Sequence, residues 1–548
     1  VAAQETEPTS PAETKHKITR RTTLRWLEPV AIFALSLLLN LAGNDRTGLW
    51  DRDEPRYAVC VREMRESGDW MFPTFNGEPR YHKPVLIYWL MGIATRFAGD
   101  NPFGVRLVSG VAGSLTVVGV WWFGRRILGP SGGRLAAIML ATAPIMVAES
   151  KLATTDATLC LFILGCQACL WSLNKRASKP VAATFWTLLA LATLTKGPVG
   201  PALISASSVV AWLCGWRGRI LANLDAKRGG LIFALITLPW FLAITIASGG
   251  DFLRYAIGKE ILHRMANDME KHGGFPGYYP VISLVAFYPW SALFPVALVA
   301  AWMRRRRRPE LSFLIGWSVG PLLLLECSRT KLIHYYLPAF PAWALLLAWL
   351  VVAISAQEIN IRRLALGRLA MALLISIGLA GSAIMLAGLI VLPVALRWPL
   401  LMMSALLTVG TLAAMLNLQR AATQRGILIL AGTWFSILLV TGAWLVPSSE
   451  PYRTSRVIGS RLATLSKTLG IEPVMLEYQE PGVVYALGHG IATTRNRADF
   501  YAYLGDRSIL TVVLPSEAEV MREKLGLSVR VVDEVDGFML AKGKQHTF

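Results

Sequence analysis

The sequence predicts a polytopic α-helical membrane protein of about 13 transmembrane helices, with interfacial helices in its first outer loop and a small C-terminal α/β domain. Three observations carry that prediction. Of 548 residues, 54% are hydrophobic and 16% are charged, against roughly 25% charged in an average soluble domain. The apolar residues arrive in long runs, and the mean hydropathy is +0.47. The basic excess, 55 Lys and Arg against 35 Asp and Glu, gathers in the short loops between those runs, as it does on the cytoplasmic side of membrane proteins.

The elements follow in order. Residues 1–25 are polar and basic, and an apolar run from Trp26 to about Gly43 follows. It is long enough to span and lacks a clear small-x-small cleavage site, so it reads as a retained first helix. Further runs lie near 103–123, 135–149, 155–173, 181–195, 198–215, 230–248, 279–302, 311–327, 335–354, 366–392, 397–416 and 426–447. The segment from Pro84 to Phe97 is short and carries Arg96, which suits an interfacial or re-entrant helix better than a span. Topology agrees. With the N-terminus cytoplasmic and 84–97 not crossing, the basic clusters Arg125-Arg126 to Arg134, Lys175 to Lys179, Arg217 to Arg228, Arg304–Arg308, Arg362 to Arg368 and Arg420 to Arg425 all fall inside. Counting 84–97 as a span would place them outside.

Residues 1–447 then form the transmembrane domain, with outer loops at 44–102 and 249–278. Residues 448–548 alternate Val/Leu-rich runs with helical patterns and read as an outer α/β domain. The Arg304–Arg308 run directly follows an apolar segment, so it reads as a topological anchor and no nucleic-acid partner is expected. Of the six cysteines only Cys60 lies away from the apolar runs, and Cys166-x-x-Cys169 sits inside one without a second pair. Small packable helix residues are the better account of it than a metal or redox site.

The ionisable residues of the apolar part collect at one level. The first outer loop carries Asp51, Asp53, Glu54 and Arg56, with Asp53 where a helix N-cap belongs and Pro55 in the first turn. Tyr57, Cys60, Val61 and Met64 share one face of the helix that follows, the pattern of an amphipathic helix at a membrane surface. Lys83 stands where the short apolar helix begins, suited to snorkelling or to a lipid phosphate. Glu149, Lys151, Asp156, Lys196, Glu326, Arg329, Lys331 and His334 end other spans at that level. A transporter would place ionisable residues near the midplane, and this chain puts them at one surface. For metal, Asp51-x-Asp53 is a weak signal, and the spacing of His263, Asp268 and His272 fits no standard zinc motif. No cofactor is required, and a divalent ion at those three residues is the one metal site left open.

These residues resemble the GT-C class of membrane glycosyltransferases, and within it the lipid A aminoarabinose transferases and their protein-mannosyltransferase relatives. The matching pieces are Asp53-Glu54-Pro55-Arg56-Tyr57-Ala58, Gly68-Asp69-Trp70, Asn76-Gly77, Tyr81-His82-Lys83-Pro84 with Tyr88-Trp89, Asn101 to Leu107, Thr155-Asp156, Thr195-Lys196-Gly197-Pro198, and Arg329 to Tyr336. They cover residues from about 25 to 350, and the first loop is the most specific. The resemblance implies a GT-C-like fold and an inverting transfer of 4-amino-4-deoxy-L-arabinose from undecaprenyl phosphate to phosphate groups of lipid A. It implies the periplasmic face of the bacterial inner membrane, a periplasmic C-terminal domain, a monomer, and resistance to polymyxin and cationic peptides as the consequence. It implies catalytic roles for Asp53, Glu54 and Asp156. It implies donor or lipid-phosphate binding by Arg56, Tyr57, Tyr81, Lys83, Lys196, Arg329, Lys331, Tyr335 and Tyr336. The sequence leaves open a polyprenyl-linked transferase acting on protein or glycan hydroxyls, a lipid flippase, and a membrane receptor whose outer tail binds.

The topology is testable without a substrate. In a background lacking the native cysteines, Asn76→Cys and Asp100→Cys should both react with a membrane-impermeant maleimide in inner-membrane spheroplasts. Labelling at 76 with protection at 100 would make 84–97 a span and invert every later loop.

Overall fold

The computed structural model describes residues 27–51, 53–256, 258, 274–360, 365–420, 423–476, 480–494, 510–511, 534–536 and 545–547. Helices dominate them. Helix α1 covers Leu27–Leu41. The first loop then folds into α2 (Asp53–Ser67), a two-stranded antiparallel ribbon of β1 (Thr74–Phe75) and β2 (Glu78–Pro79), and α3 (Leu86–Ala98). At 13 residues α3 reaches about 20 Å, short of the roughly 30 Å of a hydrocarbon core.

Next comes α4 (Pro102–Ala141), which starts on an Asn101 cap whose side chain accepts the Gly104 N–H. Gly129, at φ 82°, and Pro130 divide it into two limbs. The run expected at 135–149 is broken. Helix α4 stops at Ala141, and Pro144 opens a separate eight-residue helix, α5 (Pro144–Lys151), because proline cannot supply the N–H that would continue the first. Helices α6 (Asp156–Lys175), α7 (Lys179–Lys196) and α8 (Val199–Leu213) follow. Gly197 ends α7 at φ 64°, a conformation that favours glycine.

Seven helices among the described residues are long and apolar enough to cross a bilayer: Pro102–Ala141, Asp156–Lys175, Ala226–Ala247, Ile333–Ser355, Ala365–Val391, Val394–Gln419 and Thr423–Ser448. They are layered by burial. Ile333–Ser355 is the axis, with 89% of its apolar window buried, while Ala226–Ala247 and Ala365–Val391 are 17% buried and form the periphery. Leu235 and Ile246 on the outer helix point their side chains away from the protein, which is stable where lipid is the solvent. Inside, Gly316 and Gly320 of the helix Pro309–Glu326 lie against the backbone of Ala211 and Ala206 on α8, with no room for a Cβ. Small residues allow that close approach between helices. Trp171, Trp216, Phe313 and Trp317 fill the space beside them.

Helix α2 departs from a simple surface helix. Tyr57, Cys60, Val61 and Met64 are buried as their spacing predicts, but so are Glu54, Val59 and Arg62 on the other faces. The C-terminal segment covers that side. There the helix Thr454–Leu469, β3 (Val474–Leu476), the helix Pro481–Leu487 and β4 (Ala492–Thr494) form a β-α-β unit with parallel strands. Arg62 donates to the Tyr485 and Val484 carbonyls at 3.3 and 3.4 Å. Asn76 exchanges two 2.8 Å hydrogen bonds with the Ile491 backbone.

One ion pair fastens the first loop to the bundle. Glu54 and Arg106 are 2% and 1% exposed and meet in two parallel bonds of 2.7 and 2.8 Å. Removing one partner of such a pair strands a buried charge, which costs about 3–5 kcal/mol. Arg106→Ala should therefore lower the thermal unfolding temperature of the detergent-solubilised protein markedly. The double variant Glu54→Gln/Arg106→Met should be more stable than Arg106→Ala alone; an equally unstable double variant would mean that the charge itself is not what the site balances.

Candidate active site

The site is built outward from Glu54. Its Oε1 accepts from Arg106 Nε and from the Ala153 N–H at 2.6 Å, and its Oε2 accepts from Arg106 Nη2 and from the Trp50 N–H at 2.6 Å. Arg106 in turn donates to the carbonyls of Thr47 and Gly48 and to the Thr47 hydroxyl. One carboxylate therefore fixes α2, the turn before it, α4 and the turn that leads into α6. With every acceptor position filled, Glu54 has a positioning role. The residues it positions are its neighbour Asp53 and, three residues past Ala153, Asp156.

Asp53 opens α2 with its side chain 63% exposed and 3.6 Å from Arg56. Asp156 opens α6 and is buried, bonded to Lys196 Nζ at 2.6 Å. Lys196 lies over the Tyr335 ring at 4.8 Å. Behind that pair, Glu149 stands 3.8 Å from His334 Nδ1. Burial, reinforced by the Asp156 carboxylate, pushes the Glu149 carboxyl above the usual carboxylate range. Asp53, Lys83, Asp156 and Lys196 all lie close enough to His334 to act on it electrostatically. The side chains of the 44–102 loop, α5, α6, α7 and the start of the axial helix thus share one rim of the bundle.

A second group forms the wall. His82 bonds Tyr255 at 2.5 Å, and Lys83 donates to the His82 carbonyl at 3.1 Å. Tyr81 packs edge-on to Phe252 and near Tyr255. Arg80 is buried, donates to the Tyr88 hydroxyl at 3.3 Å and lies over the Tyr57 ring. Burial raises the Tyr57 phenol well above its ordinary value and the Cys60 thiol to about 12, so both stay protonated.

Three of the expected binding residues stand apart from this group. Lys331 is buried in an ion pair with Glu326 and donates to the Phe275 carbonyl. Tyr336 donates to the Ser318 carbonyl at 2.7 Å within the core. Arg329 is exposed on the turn before them. Among the described residues no three His, Cys, Asp or Glu side chains are grouped to hold a metal ion; His263, Asp268 and His272 lie outside the described residues. Sequence reasoning missed Arg106 and Arg80 as organising residues. Arg106 did carry a signal, as the lone charge in the run 103–123, and a charge in an apolar span marks a paired or functional residue.

The arrangement can hold anionic groups at the bilayer edge, with Arg56, Lys83 and Lys196 beside the carboxylates of Asp53 and Asp156. Residues 82–242 match the family model described as dolichyl-phosphate-mannose-protein mannosyltransferase. An undecaprenyl phosphate-α-4-amino-4-deoxy-L-arabinose arabinosyl transferase of Pseudomonas aeruginosa is 31% identical over 429 residues, 77% of this chain and 70% of the relative. Its counterpart in Edwardsiella ictaluri is 32% identical over 338 residues, and the match spans 61% of this chain and 60% of the relative. In three dimensions the fold is similar to the crystal structure of ArnT from Cupriavidus metallidurans bound to undecaprenyl phosphate. The TM-score is 0.76 at 21% identity, covering 95% of this chain and 97% of that one.

The environment of Glu149 makes stability depend on pH. A carboxyl whose folded pKa is raised contributes its stability fully below the unfolded value, and the contribution is lost as pH rises through the folded value. The wild-type unfolding free energy, and with it the unfolding temperature, should therefore fall between about pH 5 and pH 8 more than that of Glu149→Gln, the free energy by up to about 1.4 kcal/mol per pH unit. Parallel pH profiles for the two proteins would place the Glu149 carboxyl in contact with water.

Proposed function

Because the chain belongs to the family of undecaprenyl phosphate-α-4-amino-4-deoxy-L-arabinose arabinosyl transferases, we propose that it transfers aminoarabinose from undecaprenyl phosphate to a phosphate group of lipid A. The transfer takes place at the periplasmic face of the bacterial inner membrane, with the N-terminus cytoplasmic and the segment after 447 periplasmic. The observation that carries this reading is the rim where Asp53, Lys83 and the Asp156–Lys196 pair converge. It stands where two lipid-borne phosphates can meet without either leaving the headgroup level.

The chemistry asks little of the protein beyond orientation and charge. The bond from the anomeric carbon to the undecaprenyl phosphate oxygen breaks, and its electron pair stays on that phosphate. Lys83 and Arg56 stabilise the charge as it develops. An acceptor phosphate oxygen forms the new bond from the opposite face, so the anomeric centre inverts. The acceptor is already anionic at neutral pH and needs no base. Asp53, the exposed carboxylate, then orients the acceptor or holds the sugar's ammonium group. Asp156, neutralised by Lys196, shapes the floor and keeps that lysine in place. Tyr57, Tyr81 and Tyr335 supply apolar walls with hydroxyl ends, suited to a sugar on a lipid tether. The product carries one more positive charge on lipid A, which weakens the binding of cationic peptides such as polymyxin.

Incubation of the purified protein with undecaprenyl-phosphate aminoarabinose and lipid A, followed by mass spectrometry of the lipids, tests the reading. Lipid A should gain the sugar on phosphate. A product on protein or glycan hydroxyls, or none with an intact donor, would overturn it. Asp53→Asn isolates the acid's role. Its surface pair with Arg56 is worth about 0.2–1 kcal/mol and the side chain is mostly exposed in the first turn of α2, so the variant should fold normally. It should lose transfer about tenfold to a hundredfold, the worth of one charge-assisted contact, while Asp51→Asn retains most activity. An active Asp53→Asn enzyme would move the role to Asp156.

A further inference from the structure

The bundle holds a cavity far from the rim where the carboxylates meet. It has a volume of about 1200 Å³ and lies among the ends of the helices Ile333–Ser355, Ala365–Val391, Val394–Gln419 and Thr423–Ser448. The axial helix fixes its distance from the catalytic rim. His334 and Tyr335 begin that helix, and Ile354 and Ser355, which line the cavity, end it. About twenty residues at 1.5 Å each separate the two by roughly 30 Å, one hydrocarbon thickness. The cavity is therefore at the opposite leaflet.

Its lining is split by chemistry. The inner wall is apolar, with Leu374, Ile375, Ile427 and Leu430. The mouth carries Arg368 and Arg425, with the amides of Gln357, Asn360 and Gln424 beside them. No Asp or Glu lines the cavity among the described residues. Glu358, next in the chain to Gln357, is turned to Arg308 at 3.5 Å. Neither Arg368 nor Arg425 makes an ion pair among the described residues. An apolar shaft that ends in two guanidinium groups and several amides matches an amphiphile with an anionic head. Arginine binds phosphate oxygens in a two-pronged geometry, and basic pockets between membrane helices on the cytoplasmic side hold phospholipid headgroups. The volume exceeds that of a typical pocket for a small ligand, about 300–1000 Å³, so it has room for acyl chain as well as for a phosphate.

We infer that this cavity is a binding site for an anionic glycerophospholipid of the leaflet opposite the catalytic rim, with the phosphate held by Arg368 and Arg425 and an acyl chain lying along Leu374 and Ile427. The site is separate from the sugar-transfer chemistry. A lipid there fills a void between the outer helices, Ala365–Val391 and Val394–Gln419, and the axial helix.

Native mass spectrometry of the full chain, released from nanodiscs of phosphatidylglycerol or of phosphatidylcholine, tests this. Phosphatidylglycerol should remain bound under conditions that strip phosphatidylcholine. It should also raise the unfolding temperature in detergent, whereas inorganic phosphate alone should do neither. Arg368→Gln/Arg425→Gln should weaken phosphatidylglycerol retention about tenfold or more and leave sugar transfer unchanged. Ala372→Trp, which fills the cavity and keeps both arginines, should also abolish retention. Equal retention of the two lipids, or retention unaffected by both variants, would overturn the inference. An unfolding shift with inorganic phosphate equal to that with lipid would reduce the site to an anion site without a tail.

Discussion

Everything at the candidate site depends on one carboxylate being completely satisfied. Taking a carboxylate and a guanidinium out of water is expensive, several kcal/mol for each ion even after relaxation. Glu54 and Arg106 bear that cost because each has partners beyond the other. The backbone N–H groups of Trp50 and Ala153 complete the carboxylate, and the carbonyls of Thr47 and Gly48 complete the guanidinium. Those extra partners give the pair its architectural meaning. A pair with free valences would rest on the loop; this one ties four chain segments to a single point. Asp53 and Asp156, a hundred residues apart in the chain, are held relative to each other through it.

The Asp156–Lys196 pair is different in kind. It too is buried, but the contacts around it are a ring face and a threonine hydroxyl at 3.4 Å rather than a full set of backbone groups. A buried pair that is less completely bonded is easier to reorganise when a phosphate arrives, because the lysine has donors to share. The saturated pair supports the loop, and the less saturated one lines the candidate site. The C-terminal segment adds a second support from outside. Arg453 lies over Trp50 at 4.3 Å and donates to the Gly48 carbonyl at 3.0 Å, the same carbonyl that Arg106 reaches from within. The first loop is therefore gripped from both sides, which is why α2 is buried on faces that its sequence marks as polar.

How far the sequence could be read follows from what kind of force sets each feature. The spans were legible because burial in lipid demands continuous apolar length, and that demand is written residue by residue. The short helix after Lys83 was legible for the same reason. The break at Pro144 lay in plain sight as a proline, yet a run of apolar residues on both sides masked it. The burial of Arg62 was not legible at all, since it depends on carbonyls more than four hundred residues away. Within the candidate site, Asp53 stood out at a helix start in the first outer loop and Lys83 and Lys196 at the ends of apolar segments, and the structure brings the three to one rim. Tyr336 and Lys331 sit in the same motif as Tyr335 but turn into the core and into a local ion pair. In a tight 3-10 segment, neighbours point in different directions, and a motif read as a string cannot say which.

The position of the site at the rim also has a physical reason. Both proposed substrates carry their reactive phosphates on lipids, and a phosphate drawn to mid-membrane would lose its hydration with nothing to replace it. The protein leaves the phosphates at headgroup level and brings its charges there, at the ends of helices α6 and α7 and in the loop above α3. The bundle below can then be almost free of ionisable groups, and its axial helix can be apolar along nearly its whole length. This division explains how a chain so poor in charge can run ionic chemistry. Its few carboxylates and ammonium groups are kept where water and headgroups share the cost of their solvation, and the most deeply buried of the described pairs, Glu54 and Arg106, is bonded on every side.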